Sequence, residues 1–145
     1  MVKSPRISEI VRRQVAARAG ERCEYCLSPA HYATQRFSIE HIIPRAKGGT
    51  QSLDNLALAC QGCNNYKYDR VEAVDALSGE LVPLYNPRRD HWHEHFAWSA
   101  DGLLIIGLTP TGRVTVDTLD LNRSGVVNLR TLINAFYAHP PNMDE

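Results

Sequence analysis

The four cysteines of this 145-residue chain fall into two identical pairs, Cys23-Glu-Tyr-Cys26 and Cys60-Gln-Gly-Cys63, with 33 residues between the pairs. Two residues between thiolates let a tight turn aim both sulfurs at one ion, and two such turns complete the tetrahedral sphere that Zn²⁺ prefers, at about 2.3 Å per Zn–S bond. A closed set of four sulfurs leaves no coordination position for a substrate. Zinc held by Cys23, Cys26, Cys60 and Cys63 is therefore expected to be structural. A disulfide framework is disfavoured in a reducing cytosol, and a chain of this size does not need one. A redox dithiol shows one such pair, not two.

Charge is balanced overall, with sixteen Lys and Arg against sixteen Asp and Glu. A globally cationic coat for nucleic acid is excluded. The balance is uneven along the chain: residues 1–90 carry thirteen basic and ten acidic side chains, and residues 91–145 three and six. No apolar run approaches the roughly 20 residues that span a bilayer, and Met1-Val-Lys-Ser-Pro-Arg6 lacks the apolar stretch of a secretion signal. A cytoplasmic location without a membrane partner is the expectation.

Ser8 to Ala19 reads as a short helix with Ser8 as N-cap, Ile10, Val11 and Val15 on one side and Gly20 as its stop. Lys3, Arg6, Arg12, Arg13, Arg18 and Arg22 make it the most basic stretch, either a solvated face or one that meets phosphate. Phe37 to Ile42 reads as a strand with Phe37, Ile39 and His41 on one side and Ser38 and Glu40 on the other. Leu53 to Ala59 is a short return segment, and Cys63 to about Leu77 reads as a helix ended by Ser78-Gly79. Asn86 to Asp90 is a loop. Leu103–Leu108 and Arg113–Val116 read as a hairpin across Thr109-Pro-Thr-Gly112. A second helix is expected from about Asn122 to Ala138, and the residues after Pro140-Pro141 as a disordered tail.

Between the cysteine turns stand Glu40-His41-Ile-Ile-Pro44, Lys47-Gly48-Gly49-Thr50 and Asp54-Asn55-Leu56, and directly after the fourth cysteine Asn64-Asn65-Tyr-Lys67. From Cys23 to Lys67, about a third of the chain, this arrangement resembles the HNH nuclease motif, the ββα-metal fold in its form with flanking Cys-x-x-Cys pairs. The resemblance implies an α+β architecture with a core at 20–78, an N-terminal helix, and a C-terminal extension at 84–138 made of a hairpin and a helix, all within one domain. Cutting a phosphodiester needs a base for water, a cation for the leaving oxygen and a frame for both. His41 is the neutral-pH base of the motif, whereas Glu40 offers the hard anionic oxygen that Mg²⁺ or Mn²⁺ favours.

Adjacent strand positions point to opposite faces, so a regular strand cannot aim Glu40 and His41 into one site. The resemblance reconciles them by placing the pair where strand gives way to loop. It implies that Glu40 and Asn64 hold a catalytic divalent ion, His41 activates water, and Asn55 braces the loop that orients His41. Two departures stand out: the family often has Asp where this chain has Glu40, and His where it has Asn64. Both keep an oxygen donor.

Arg45, Lys47, Lys67 and Arg70 flank the motif as candidate phosphate contacts. His91, His93 and His95 could share a strand face as a second metal site, but Trp92, Phe96 and Trp98 point to packing, and nearby Arg88 and Arg89 to DNA contact. Islands from Asn86-Pro87-Arg88 to Leu121-Asn122 resemble the extension of a group of small bacterial HNH proteins. The functional expectation is a metal-dependent DNA endonuclease of low sequence specificity that nicks as a monomer. The alternative is a zinc-stabilised DNA-binding module without cleavage. A zinc nucleobase deaminase is set aside, since Ala59 precedes Cys60 where that chemistry has Pro, and His31-Tyr-Ala33 lacks the glutamate.

Overall fold

Ser8 opens the first helix as expected: its backbone is extended and its Oγ accepts the Val11 amide at 3.2 Å. The computed structural model describes residues 6–135 and 139–141, so Lys3, the end of the second predicted helix at 136–138 and the last four residues lie outside the described residues. Helix α1 (Glu9–Arg18) buries Val15 and packs Val11 on the core, but leaves Ile10 71% exposed. Val11 and Val15 are four apart and stack on one face, while Ile10 is turned about 100° away. The basic stretch is not simply solvated. Arg12 donates to the Phe37 carbonyl at 3.0 Å, and Arg18 to those of Leu53 and Leu56 at 2.8 and 2.6 Å.

Strand β1 (Ser38–His41) pairs antiparallel with β2 (Leu56–Ala59), Glu40 opposite Ala57 and His41 opposite Leu56. Helix α2 (Gln61–Lys67) crosses one face of this hairpin, where Gln61 donates to the Ser38 hydroxyl at 2.9 Å and Lys67 Nζ lies 2.5 Å from Glu40. The period-2 alternation thus puts Ser38 and Glu40 under the helix and Ile39 and His41 on the other face. This is the ββα unit the sequence led us to expect.

Two segments differ from that expectation. The helix begun at Cys63 stops at Lys67, because Tyr68 takes φ +53°. Beyond it the chain forms a hairpin of β3 (Glu72–Val74) and β4 (Leu81–Pro83). Its turn is held by Asp75, which accepts the Ser78 amide at 3.1 Å through its side chain and the Gly79 amide at 2.7 Å through its carbonyl; Ser78-Gly79 thus turns a hairpin instead of ending a helix. The second difference is at Thr109-Pro110. Thr109 Oγ1 accepts the Gly112 amide at 3.0 Å and Pro110 opens helix α4 (Pro110–Leu119). Thr as N-cap and Pro at the first helical position outweigh the short apolar alternation of Arg113–Val116.

The strand partner of β6 (Ile105–Gly107) is β5 (Phe96–Trp98), reached through the short helix α3 (Trp92–His95). Helix α5 (Ser124–Ile133) comes last among the described residues. A continuous buried cluster joins Val15, Tyr25 and Leu56 to Trp92, Phe96, Leu119 and Leu121. Trp92 donates from Nε1 to the Tyr25 carbonyl at 3.2 Å and stacks 5.0 Å from Phe96, so these aromatics pack as the sequence suggested. Arg130 is buried at 2% exposure, with Nη groups on the carbonyls of Leu103 and Leu121 at 2.8 Å each and its guanidinium 5.2 Å from the Trp98 ring centroid.

Candidate active site and zinc centre

The four cysteine sulfurs all lie within 4.8 Å of one another. Tetrahedral coordination at about 2.3 Å per bond implies sulfur pairs about 3.8 Å apart, and Cys26 and Cys60 stand at 3.7 Å. The donor set therefore fits zinc, which these four residues would hold as a closed structural centre. Among the described residues this is the one cluster of three or more His, Cys, Asp or Glu that could hold a metal. The histidines of 91–95 form no second site. His95 Nδ1 instead lies 2.6 Å from the Thr109 hydroxyl.

The two residues inside the first cysteine turn tie it to the ββα unit, a link that the sequence does not reveal. Tyr25, 1% exposed, donates its hydroxyl to Glu40 Oε1 at 2.5 Å. Glu24 accepts the Leu58 amide at 2.8 Å and pairs with Arg88. The cysteine spacing announced the metal, but nothing in the spacing says that the intervening residues face inward.

Glu40 itself is 4% exposed, and its Oε2 lies 2.5 Å from Nζ of Lys67. Lys67 is 1% exposed and also donates to the Ile42 carbonyl at 2.8 Å. Burial raises the Glu40 pKa against the opposing pull of Lys67. Two expectations change accordingly. Lys67 is not a phosphate contact, because its ammonium is enclosed and spent inside the protein. Glu40 and Asn64 do not fit a catalytic divalent ion as arranged, because the carboxylate is already neutralised by a buried ammonium and a cation would have to expel it. Asn64 stands three residues before Lys67, on the helix face turned to β1, and is partly exposed.

His41 ends β1 on the opposite face and is partly exposed. Its Nε2 is buried without a hydrogen-bond partner. Burial, then the nearby Arg45 charge, lowers the His41 pKa below 6.5, which keeps the imidazole neutral at pH 7. Asn55 clamps the loop after His41: Nδ2 donates to the carbonyls of Ile43 and Thr50 at 3.0 and 2.8 Å, and Oδ1 accepts the Ile43 amide at 2.9 Å. Gly49 permits this closeness, since a Cβ there would lie 1.6 Å from the Ile43 carbonyl oxygen. Arg18, through its bonds to Leu53 and Leu56, holds the other end of the Asn55 segment.

Arg45 and Arg70 are exposed, and their side chains make no hydrogen bond or ion pair among the described residues. Lys47 is exposed with Nζ on the Asp69 carbonyl at 2.9 Å. Arg89, not singled out for the catalytic motif from the sequence, projects from the Asn86–Asp90 turn into a cleft of about 320 Å³ shared with Gly49, Thr50 and Asn55. The sequence marks it as a DNA contact near His91–His95, and the Asn86 turn positions it, with Asn86 Oδ1 accepting the Arg88 and Arg89 amides at 2.9 and 3.3 Å.

No helix among the described residues is long and apolar enough to cross a membrane. Comparison with known proteins finds a match to the HNH endonuclease family model over residues 23–70. The chain is also similar to the Septu protein PtuA of Bacillus mycoides (strain KBAB4), 31% identical over 90 residues, which is 55% of this chain and 13% of that protein. No solved structure matches. The matched segment runs from the first zinc-turn cysteine through β1, β2 and α2, and residues 23–70 of this chain are an HNH endonuclease domain.

Proposed function

We propose that this protein is an endonuclease that hydrolyses DNA phosphodiester bonds with His41 as general base. The observation that carries the reading is the fixed loop behind His41: a neutral, partly exposed imidazole stands at the end of β1, and the segment after it is locked by three Asn55 hydrogen bonds. A base must be neutral to accept a proton and rigid to aim it. His41 takes the proton from water, the hydroxide attacks phosphorus, and the bond from phosphorus to the 3′ oxygen breaks, the departing oxygen taking a proton from solvent to leave 5′-phosphate and 3′-hydroxyl ends. Arg45, beside His41, and Arg89, across the Asn55 loop, hold the phosphate; Lys47 and Arg70 extend the contact along the backbone. One such site per chain cuts one strand, giving nicks, and contacts to backbone rather than base edges give low sequence specificity.

One observation favours the second reading, a zinc-stabilised DNA-binding module without cleavage. The carboxylate best placed to hold a hard cation is committed to Lys67. A supercoiled-plasmid assay with Mg²⁺, Mn²⁺ or EDTA separates the two, run on wild type and His41→Ala with zinc content checked in both. Relaxation by wild type and not by His41→Ala supports the nuclease. Binding without relaxation under every condition supports the module.

A further inference from the structure

One side chain of the C-terminal extension reaches the cysteine sulfurs themselves. Arg123, where α4 hands over to α5, places Nη2 at 3.3 Å from Cys60 Sγ, and Nη1 and Nη2 each at 3.6 Å from Cys63 Sγ. Its fork is held in place by the carbonyls of Leu119 and Asp120, both at 3.2 Å from Nη1, and it lies over the Tyr66 ring at 5.7 Å. The second cysteine turn is shaped to admit it. A Cβ at Gly62 would stand 2.5 Å from Arg123 Nη2, so only glycine lets the guanidinium settle on the sulfurs without displacement. From within that turn the Cys63 amide adds a neutral donor, 3.4 Å from Cys60 Sγ.

Four thiolates around Zn²⁺ leave a net charge of about −2 in a buried place, which is unfavourable without a compensating cation or hydrogen-bond donors. Arg123 supplies both. It also stands where the centre is most open: Cys60 is 9% exposed, against 0–1% for the other three cysteines. Cys60 and Arg123 line the same groove of about 360 Å³, between residues 28–37 and α5. We propose that Arg123 is the outer-sphere cation of the zinc–thiolate centre, and that zinc, through Arg123, holds the C-terminal extension on the cysteine turns. The extension then retains the metal, and the metal fastens the extension.

The test uses the zinc-loaded full chain and follows zinc release to excess EDTA with a chromogenic chelator, so it does not depend on whether the protein cuts DNA. Arg123→Ala should release zinc about 10–100-fold faster, the usual loss when an outer-shell partner of a metal ligand is removed. Arg123→Met fills similar space without charge and should behave like Arg123→Ala; Arg123→Lys should fall between these and wild type. Hydrogen exchange over residues 110–133 should quicken when wild type is stripped of zinc. Wild-type release rates in both Arg123→Ala and Arg123→Met overturn the proposal. So does a wild-type rate in Arg123→Met alone, which would assign the effect to shielding instead of charge. If Arg123→Ala does not fold, the comparison of Arg123→Lys with Arg123→Met decides. A wild-type chain that binds no zinc overturns it outright.

Discussion

Replacing Lys67 by Met tests whether the Glu40 carboxylate of β1 is neutralised from within. Lys67 and Glu40 are 1% and 4% exposed and 2.5 Å apart, and the nearest other donor to Glu40 is the Tyr25 hydroxyl. Lys67→Met leaves a buried anion with one hydrogen bond, and breaking a buried pair this way costs about 3–5 kcal/mol. At about 2–4 °C per kcal/mol for a chain of this size, Tm should fall by roughly 6–20 °C. Glu40→Gln with Lys67→Met removes both charges and should recover most of the loss. The pH dependence has a definite sign. Burial raises the Glu40 pKa, more so without Lys67, so the native state of Lys67→Met binds that proton more tightly than the unfolded chain. Its stability relative to wild type should therefore improve as pH falls through the Glu40 pKa. Denaturant unfolding of all four proteins across pH, with zinc saturating, gives the coupling directly. Additive single effects would refute the buried pair. So would a rise in wild-type Tm on adding Mg²⁺ that Glu40→Gln abolishes, since that would show the carboxylate taking the ion that its pairing with Lys67 argues against.

Other outcomes rest on the same contacts. Asn55→Asp should cost more than Asn55→Ala, itself about 2–4 kcal/mol for three hydrogen bonds, because a carboxylate oxygen would face two carbonyl oxygens where Nδ2 now donates; chemical denaturation ranks them. Gly49→Ala should disorder the same loop, read as faster proteolysis at residues 44–52. In the nuclease assay the acid limb of kcat/KM should fall below pH 6.5, since the His41 pKa is lowered, and Arg45→Ala should move it upward. The Asp75–Arg113 pair joins the β3–β4 turn to α4, with Asp75 held well below its ordinary pKa. Its contribution is present above about pH 4, the unfolded value, and is lost as pH falls through the folded pKa. Asp75→Asn should flatten the acid side of a Tm-against-pH curve.

What the sequence determined by itself is what spacing and local sterics encode. Two residues between cysteines make a turn whatever surrounds it, so the zinc ligands were legible. Ser8 caps its helix through a bond three residues away, and period-2 alternation placed Glu40 and His41 on opposite faces of β1. Asn55 was legible as a brace through resemblance, and the structure supplies its three hydrogen bonds. Local signals also competed: alternation at Arg113–Val116 suggested a strand, but the Thr109 cap and Pro110 favoured a helix.

Tertiary structure alone decided which charges are available. Lys67 and Arg45 look alike in sequence as cations beside a motif, yet one is enclosed against Glu40 and the other stands free near His41. Arg18 and Arg123 are likewise polar surface residues until packing brings them to carbonyls and thiolates 35 or more residues distant. Partners so far apart in the chain leave no periodicity, because their meeting depends on how α1, α2 and α5 pack rather than on any local preference. The zinc turn shows both sources of information at once. Its cysteines follow from spacing, but only the fold reveals that Glu24 and Tyr25 between them reach the extension and β1.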